Sequence, residues 1–306
     1  METVSEAEVQ EILAKYDKES AFRRLTGPWN KGITWLAISF SLFQLYTAIF
    51  GILPWQLQRS IHLGFALALV YLLYPAWSRG GRNRMSPIDV LLAIVGAAVA
   101  GYVALNYRDL VQRAGDFTTL DILVGGAAIL LVLEAARRVV GLPIVIIAGA
   151  FLSYAYFGPW MPGFLSHKGY SIERIISHMY YTTEGIMGIP LGVSATFIFL
   201  FILFGAFLEK TGIGQFFIDL ANAIAGGAAG GPAKVAVITS ALEGTVSGSS
   251  VANTVGSGSF TIPMMKRLGY RPEFAAAVEA SASTGGQIMP PIMGAAAFLM
   301  AARILG

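Results

Sequence analysis

Two clusters of small polar residues have the types and spacing to bind a cation and a small anion. The first is Ser247-Gly248-Ser249-Ser250, with Asn253 one turn further on; the second is Thr284-Gly285-Gly286, followed by Pro290 and Pro291. Both interrupt apolar stretches. A break in a helix frees backbone carbonyls, which are natural oxygen ligands for a hard cation such as Na⁺. The N–H groups that open the next helix carry a partial positive charge and attract a carboxylate without help from lysine or arginine. On this reading Ser247, Gly248, Ser249, Ser250, Thr284, Gly285 and Gly286 form one cation site from carbonyls and assisting hydroxyls. Ser250, Asn253 and Pro290 face the anion. The competing reading is that serine and glycine only allow helices to pack closely and that the prolines only kink.

Two carboxylates, Glu243 and Glu279, lie in the same apolar region. An ionisable group inside a membrane is a functional hypothesis by default, so either acid is a candidate for carrying a proton or lying near a cation. Glu279 follows Arg271 by about two turns, so pairing with that arginine or snorkelling is the plainer expectation for it. Hydrolytic chemistry by Ser247 would need a histidine within hydrogen-bond reach. His62, His167 and His178 all fall at the opposite membrane face in the topology below, so no catalytic residue is assigned. With no cysteine in 306 residues, disulfides, thiolate metal sites and thiol nucleophiles are excluded. No cofactor is expected, and no metal beyond the suspected Na⁺, with H⁺ as the alternative ion.

The elements that must position these residues are membrane helices. The chain is 55% hydrophobic and only 13% charged, with mean hydropathy +0.64; soluble domains carry about 25% charge. A net charge of +3 spread between apolar spans reflects membrane topology rather than nucleic-acid binding. The hydropathy pattern predicts about six full spans: Ile33–Leu53, Ile61–Trp77, Ile88–Leu105, Leu120–Ala136, Leu142–Phe157 and Ile186–Leu208. An amphipathic helix over 5–25 lies on the cytoplasmic face or packs against the protein. Residues 159–185, rich in aromatics, form an interfacial loop and a short helix.

Starting the N-terminus inside and crossing once per span places fifteen basic residues inside and five outside, with Arg303 unassigned. That bias supports an N-in orientation. It also requires 232–265 to enter and leave from one side, because Lys234 and Lys266 are both inside. Two arms of about 15 residues, each rising ~1.5 Å per residue, make a re-entrant hairpin with a Ser/Gly tip. A broken helix over 273–305 follows. An ordinary pair of short spans is the alternative to the hairpin.

The motifs also resemble a known family. Gly230-Gly-Pro-Ala-Lys-Val235, the Ser-Gly-Ser-Ser-Val-Ala-Asn tip, Phe260-Thr-Ile-Pro-Met-Met-Lys-Arg-Leu-Gly-Tyr-Arg-Pro-Glu-Phe274 and Ser283-Thr-Gly-Gly-Gln-Ile-Met-Pro-Pro291 are similar to the large membrane subunit of tripartite ATP-independent periplasmic (TRAP) transporters. Tyr180–Pro190 and Gly205–Gly212 agree, and the match is closest to fused permeases that work with TAXI-type binding proteins. Residues 1–118 match the fused small-subunit region loosely; 119–306 match the large subunit strongly.

The resemblance implies an all-α, elevator-type, cation-coupled importer of organic anions, usually driven by Na⁺, in a bacterial-type inner membrane. A periplasmic binding protein would deliver the substrate. Only one hairpin and one broken helix are present, so the chain carries the first of two inverted repeats and the remaining half of the large subunit is an expected partner. Glu243 departs from the family pattern, where an apolar residue is expected, and puts the packing of that arm in question. Two rival readings stand beside this one, a binding-protein-independent dicarboxylate–sodium symporter and a non-transporting assembly subunit. If the carbonyl reading holds, Gly285→Val weakens Na⁺ dependence while Ala282→Val does little.

Overall fold

The computed structural model describes residues 22–76 except Arg24, 84–113 and 115–305, with the Leu305 side chain left out. The amphipathic helix expected over 5–25 and the basic run 79–84 lie largely outside these residues. All regular structure among them is helical, and they divide into two compact units, 22–195 and 196–305. The resemblance put a boundary between family subunits at 118/119, whereas this division is one of packing.

In the first unit, α1 (Pro28–Phe50) starts with Pro28 in its first turn and stops at Gly51, whose φ of +114° no other residue adopts cheaply. α2 (Trp55–Leu73) follows, then α3 (Pro87–Leu105), the short α4 (Tyr107–Gln112), α5 (Thr119–Val139) and α6 (Leu142–Phe157). A capping box fixes the start of α5: Thr118 accepts from the Asp121 N–H while the Asp121 carboxylate accepts from the Thr118 N–H. Two 3₁₀ turns, Gly158–Trp160 and Gly163–Leu165, lead to amphipathic α7 (Ile172–Tyr181), and α8 (Ile189–Val193) ends the unit. The core comprises Leu63, Leu67, Tyr71, Ala93, Val99 and Ala128 with their neighbours. α2 and α3 pack closely because Gly64 faces Ala100 and Gly96 faces Leu67.

Among the described residues five helices are long and apolar enough to cross a membrane: α1, α3, α5, the 142–160 segment and the 189–210 segment. The second expected span is present as α2 but starts six residues earlier than its apolar run. Its first turns carry Gln58, Ser60 and His62, all buried. Gln58 Nε2 donates to Gln44 Oε1 (3.2 Å), Thr47 Oγ1 (3.2 Å) and the Ala195 carbonyl (2.9 Å), and His62 pairs with Gln44 and Ser194. Those internal partners make a polar helix start tolerable, which hydropathy alone does not register.

Charges separate to opposite ends of this unit. At one end buried Arg23 and Arg138 share Asp89, Arg138 at 2.7 Å, and Glu134 accepts from Arg137 and Arg138. At the other, Arg113 pairs with Asp121 at 3.1 Å. The interfacial segment is tied down by Tyr181, whose hydroxyl donates to the Asp121 carbonyl (2.7 Å), and by fully buried Tyr180, whose hydroxyl donates to the Val99 carbonyl (3.2 Å). Trp160 and Phe164 remain largely exposed, at 71% and 95%.

In the second unit, α9 (Phe199–Lys210) continues from α8 through a π turn, Ser194–Ile198, completing the sixth expected span at Ile189–Lys210. Then come α10 (Ile213–Ala225), α11 (Gly231–Ser247), α12 (Ser250–Gly256), α13 (Gly258–Arg267), α14 (Pro272–Ser283), a 3₁₀ turn at Thr284–Gln287 and α15 (Ala295–Leu305).

Candidate functional site

The hairpin follows from a few local rules. α11 ends because Gly248 takes a left-handed φ of +63°, a common helix C-terminus. Ser249 then turns extended and caps the next helix, its Oγ accepting from the Ala252 N–H at 3.3 Å. α12 and α13 are almost one rod, since Ser257 between them is helical and accepts from the Thr261 N–H at 2.9 Å. That rod runs antiparallel to α11. Asn253 meets Ser247, Gly256 meets Glu243, and Met265 shares a buried cluster with Ala236. The expected hairpin over 232–265 is therefore present as helix, tip and helix.

The expected broken helix is also present, and its break is longer than the Thr284–Gly286 cluster. α14 gives way to the 3₁₀ turn, and residues 288–294 are irregular before α15. The segment folds on itself. The Gly285 carbonyl accepts from the Ile288 and Met289 N–H groups (3.0 and 3.1 Å), and the Gln287 carbonyl from Gly294 N–H (2.7 Å). The Pro290–Pro291 peptide is cis, and Met293 has a φ of +39°.

Tip and break meet through glycines. A Cβ on Gly244 would lie 2.7 Å from the Gly286 Cα, one on Gly286 2.3 Å from Asn253 Nδ2, and one on Gly248 2.5 Å from the Met293 carbonyl oxygen. Polar contacts cross the same junction: Gln287 Nε2 donates to Ser250 Oγ (3.2 Å), and Ile292 N–H approaches the Thr245 carbonyl (3.4 Å). Buried Asn253 accepts from the Ser247 hydroxyl and donates to the Ser240 carbonyl at 3.4 Å. Of the expected residues, Ser247, Gly248, Ser250, Asn253 and Gly286 converge here. Ser249 serves its own cap, Thr284 is exposed and donates to Ala280 O (3.0 Å), and Pro290 is exposed. Gly285 and Gly286 differ in surroundings: a Cβ on Gly285 meets nothing within 4 Å and its φ is ordinary, so the demand for a bare backbone is at Gly286.

The two acids behave differently from expectation. Glu279 neither snorkels nor pairs with Arg271, which lies 3.7 Å from exposed Glu273. It is 0% exposed, and its oxygens accept from Ser257 Oγ (2.5 Å), Ser283 Oγ (3.2 Å) and Thr261 Oγ1. Ser283 Oγ in turn lies 3.0 Å from Ser240 Oγ. Sequence reading missed these hydroxyls, although Ser257/Thr261 and Glu279/Ser283 are i, i+4 pairs that place each couple on one helix face. Glu243 leaves α11 unbroken: its carboxylate lies against Gly256, next in sequence to Ser257, and borders a cavity of about 290 Å³. Ser247, Asn253 and Glu209 also line that cavity, and among the described residues no lysine or arginine does. Such a lining suits water or a cation rather than an anion.

Helices of spanning length that lead into an antiparallel hairpin seated against a broken helix are an arrangement that secondary transporters use. Residues 127–306 match the family described as "Tripartite ATP-independent periplasmic transporter, DctM component". The chain belongs to this family, as a TRAP large-permease sequence in a multi-pass inner-membrane protein. It is 32% identical over 167 residues to the C4-dicarboxylate TRAP transporter large permease protein DctM of Vibrio cholerae, covering 54% of this chain and 33% of that protein. Its counterpart in Pseudomonas aeruginosa is 34% identical over 123 residues, 40% of this chain and 27% of the relative. The isethionate TRAP transporter permease protein DctMQ of Oleidesulfovibrio alaskensis is 35% identical over 106 residues, 35% of this chain and 15% of the relative. The chain thus spans about a third or less of the length of these curated relatives. No solved structure matches it.

Proposed function

We propose that this chain forms part of the permease of a cation-coupled, binding-protein-dependent importer of organic anions, with carboxylates the substrate class and Na⁺ the coupling ion. The reading rests on the junction at which the hairpin tip meets the broken helix through Gly244, Gly248 and Gly286. Two interrupted backbones brought together supply carbonyls and hydroxyls for a cation, from Ser247–Ser250 and Thr284–Gly286. Ser250, Asn253 and Pro290 are assigned to the anion, and the relatives' C4-dicarboxylate names favour that substrate class. The N-terminus is placed in the cytoplasm by the charge bias. A TAXI-type periplasmic protein is the proposed donor, meeting the exposed aromatics of 159–185.

The test is uptake of radiolabelled dicarboxylates by proteoliposomes holding the full-length transporter, with and without the donor protein and an inward Na⁺ gradient. Uptake that needs both supports the proposal. Na⁺-driven uptake without the donor would establish the symporter reading instead. Absence of uptake under every gradient and donor would favour an assembly role.

A further inference from the structure

We propose that Glu279 is a proton-carrying site, separate from the hairpin-tip cation site, and exchanges its proton with the 290 Å³ cavity through Ser257 and Glu243, whose carboxylate lies against neighbouring Gly256. The argument starts from counting protons. Around Glu279 four hydroxyls, of Ser240, Ser257, Thr261 and Ser283, make six contacts: three to the carboxylate, one between Ser283 and Ser240, and two to backbone carbonyls. Ser257 is divided between the Asn253 carbonyl (2.7 Å) and Glu279 Oε1 (2.5 Å), and Thr261 between the Ser257 carbonyl (3.0 Å) and Glu279 Oε2. Each hydroxyl has a single proton to donate. A proton on Glu279 Oε1 would donate to Ser257 Oγ and leave the serine's own proton for the Asn253 carbonyl, while Thr261 donates to the carbonyl oxygen Oε2.

Among the described residues the surroundings supply no counter-charge. On the elements packed against α14, the charged groups are Lys234 and Glu243 of α11 and Lys266 and Arg267 of α13; α12 and the 3₁₀ turn carry none. The three bases are exposed at helix ends, whereas Glu243 is within electrostatic reach of Glu279. A carboxylate wholly removed from water and facing a second acid is costly as an anion. Glu243 gives the proton a route. Its buried Oε2 has no hydrogen-bond partner among the described residues, and the residue borders the cavity. In transfer, Glu243 gives its proton to Ser257 Oγ as the Ser257 proton passes to Glu279 Oε1. The serine ends neutral, Glu243 ionised and Glu279 protonated.

This inference rests on the transporter reading only for its purpose, so its test reads protonation rather than uptake. Infrared difference spectra of the full-length transporter in liposomes, without donor protein, should show the C=O stretch of a protonated carboxyl. Glu279→Gln should abolish that band. Glu243→Gln should retain it and slow its response to a pH jump, and Thr261→Val should shift its frequency. A band that survives Glu279→Gln, or ignores Thr261→Val, would overturn the proposal. So would an ionised Glu279 whose carboxylate stretch moves on addition of Na⁺, which would make it a sodium ligand. Failed Na⁺-driven uptake with the Glu279 band intact would remove the coupling-ion reading and leave this one standing.

Discussion

Replacing Gly286 with alanine should damage the junction between hairpin and broken helix, while the same change at adjacent Gly285 should be harmless. The added methyl at Gly286 would sit 2.3 Å from Asn253 Nδ2, and Gly286 already touches Gly244 backbone to backbone. Relief requires either a shift of the 3₁₀ turn away from α11 or displacement of Asn253. Overpacking of that kind costs about 1–3 kcal/mol. Displacing Asn253 also strips the Ser247 hydroxyl and the Ser240 carbonyl of a buried partner, at about 1–3 kcal/mol. The two routes overlap, so the expected loss is about 2–4 kcal/mol. At Gly285 the methyl meets open space, and alanine's lower unfolded-state entropy gives a change between zero and about 1 kcal/mol of stabilisation. Reversible denaturation of the full-length protein in mixed micelles measures both, with Na⁺ titration on each variant. Equal stabilities for the two variants would refute the junction geometry. Unchanged Na⁺ activation in Gly286→Ala, despite the expected destabilisation, would separate packing at the junction from cation binding.

Three further outcomes are expected. Asp89→Ala should cost about 3–5 kcal/mol in the same denaturation assay, because it leaves buried Arg23 and Arg138 without their shared carboxylate; a loss below about 1 kcal/mol would mean the pair is hydrated. Photo-cross-linkers at Trp160, Phe164 or Tyr170 should capture the periplasmic donor, whereas capture confined to the basic run 79–84 would show an inverted topology. Ser250→Ala removes the hydroxyl that receives Gln287, so it should raise the Na⁺ concentration for half-maximal uptake; an unchanged activation curve would take Ser250 out of the cation site.

The long apolar helices, the hairpin and the broken helix were legible in the sequence, because their periods and breakers act locally. Leu142–Phe157 was expected at the bounds observed, and the tip at Ser247–Ser250 is a glycine stop followed by a serine cap. Misplaced boundaries trace to partners distant in sequence. The start of α2 reads as loop until Gln44 and Ala195 are seen to satisfy Gln58. Glu279 was misjudged for the same reason: its spacing from Arg271 is local, whereas the Ser257 and Thr261 hydroxyls that receive it come from the opposite arm. Gly285 and Gly286 are indistinguishable as letters, and only the approach of Gly244 and Asn253 tells them apart.

That approach also bears on the choice between close packing and ion binding for the small residues. In a membrane, lipid tails compete equally for apolar side chains, so helices associate through close backbone contact and interhelical hydrogen bonds. Gly244 against Gly286 and Gly248 against Met293 supply the contact, while Asn253–Ser247 and Gln287–Ser250 supply hydrogen bonds. An interrupted backbone can persist inside a membrane only where protein or a wet cavity meets its polar groups. Packing is therefore the condition under which carbonyls at a break can be held near one another, so close packing and the proposed cation site are compatible. A side chain at Gly244 or Gly286 that pries the segments apart should weaken packing and cation affinity together. One at Gly285, which separates nothing, should weaken neither.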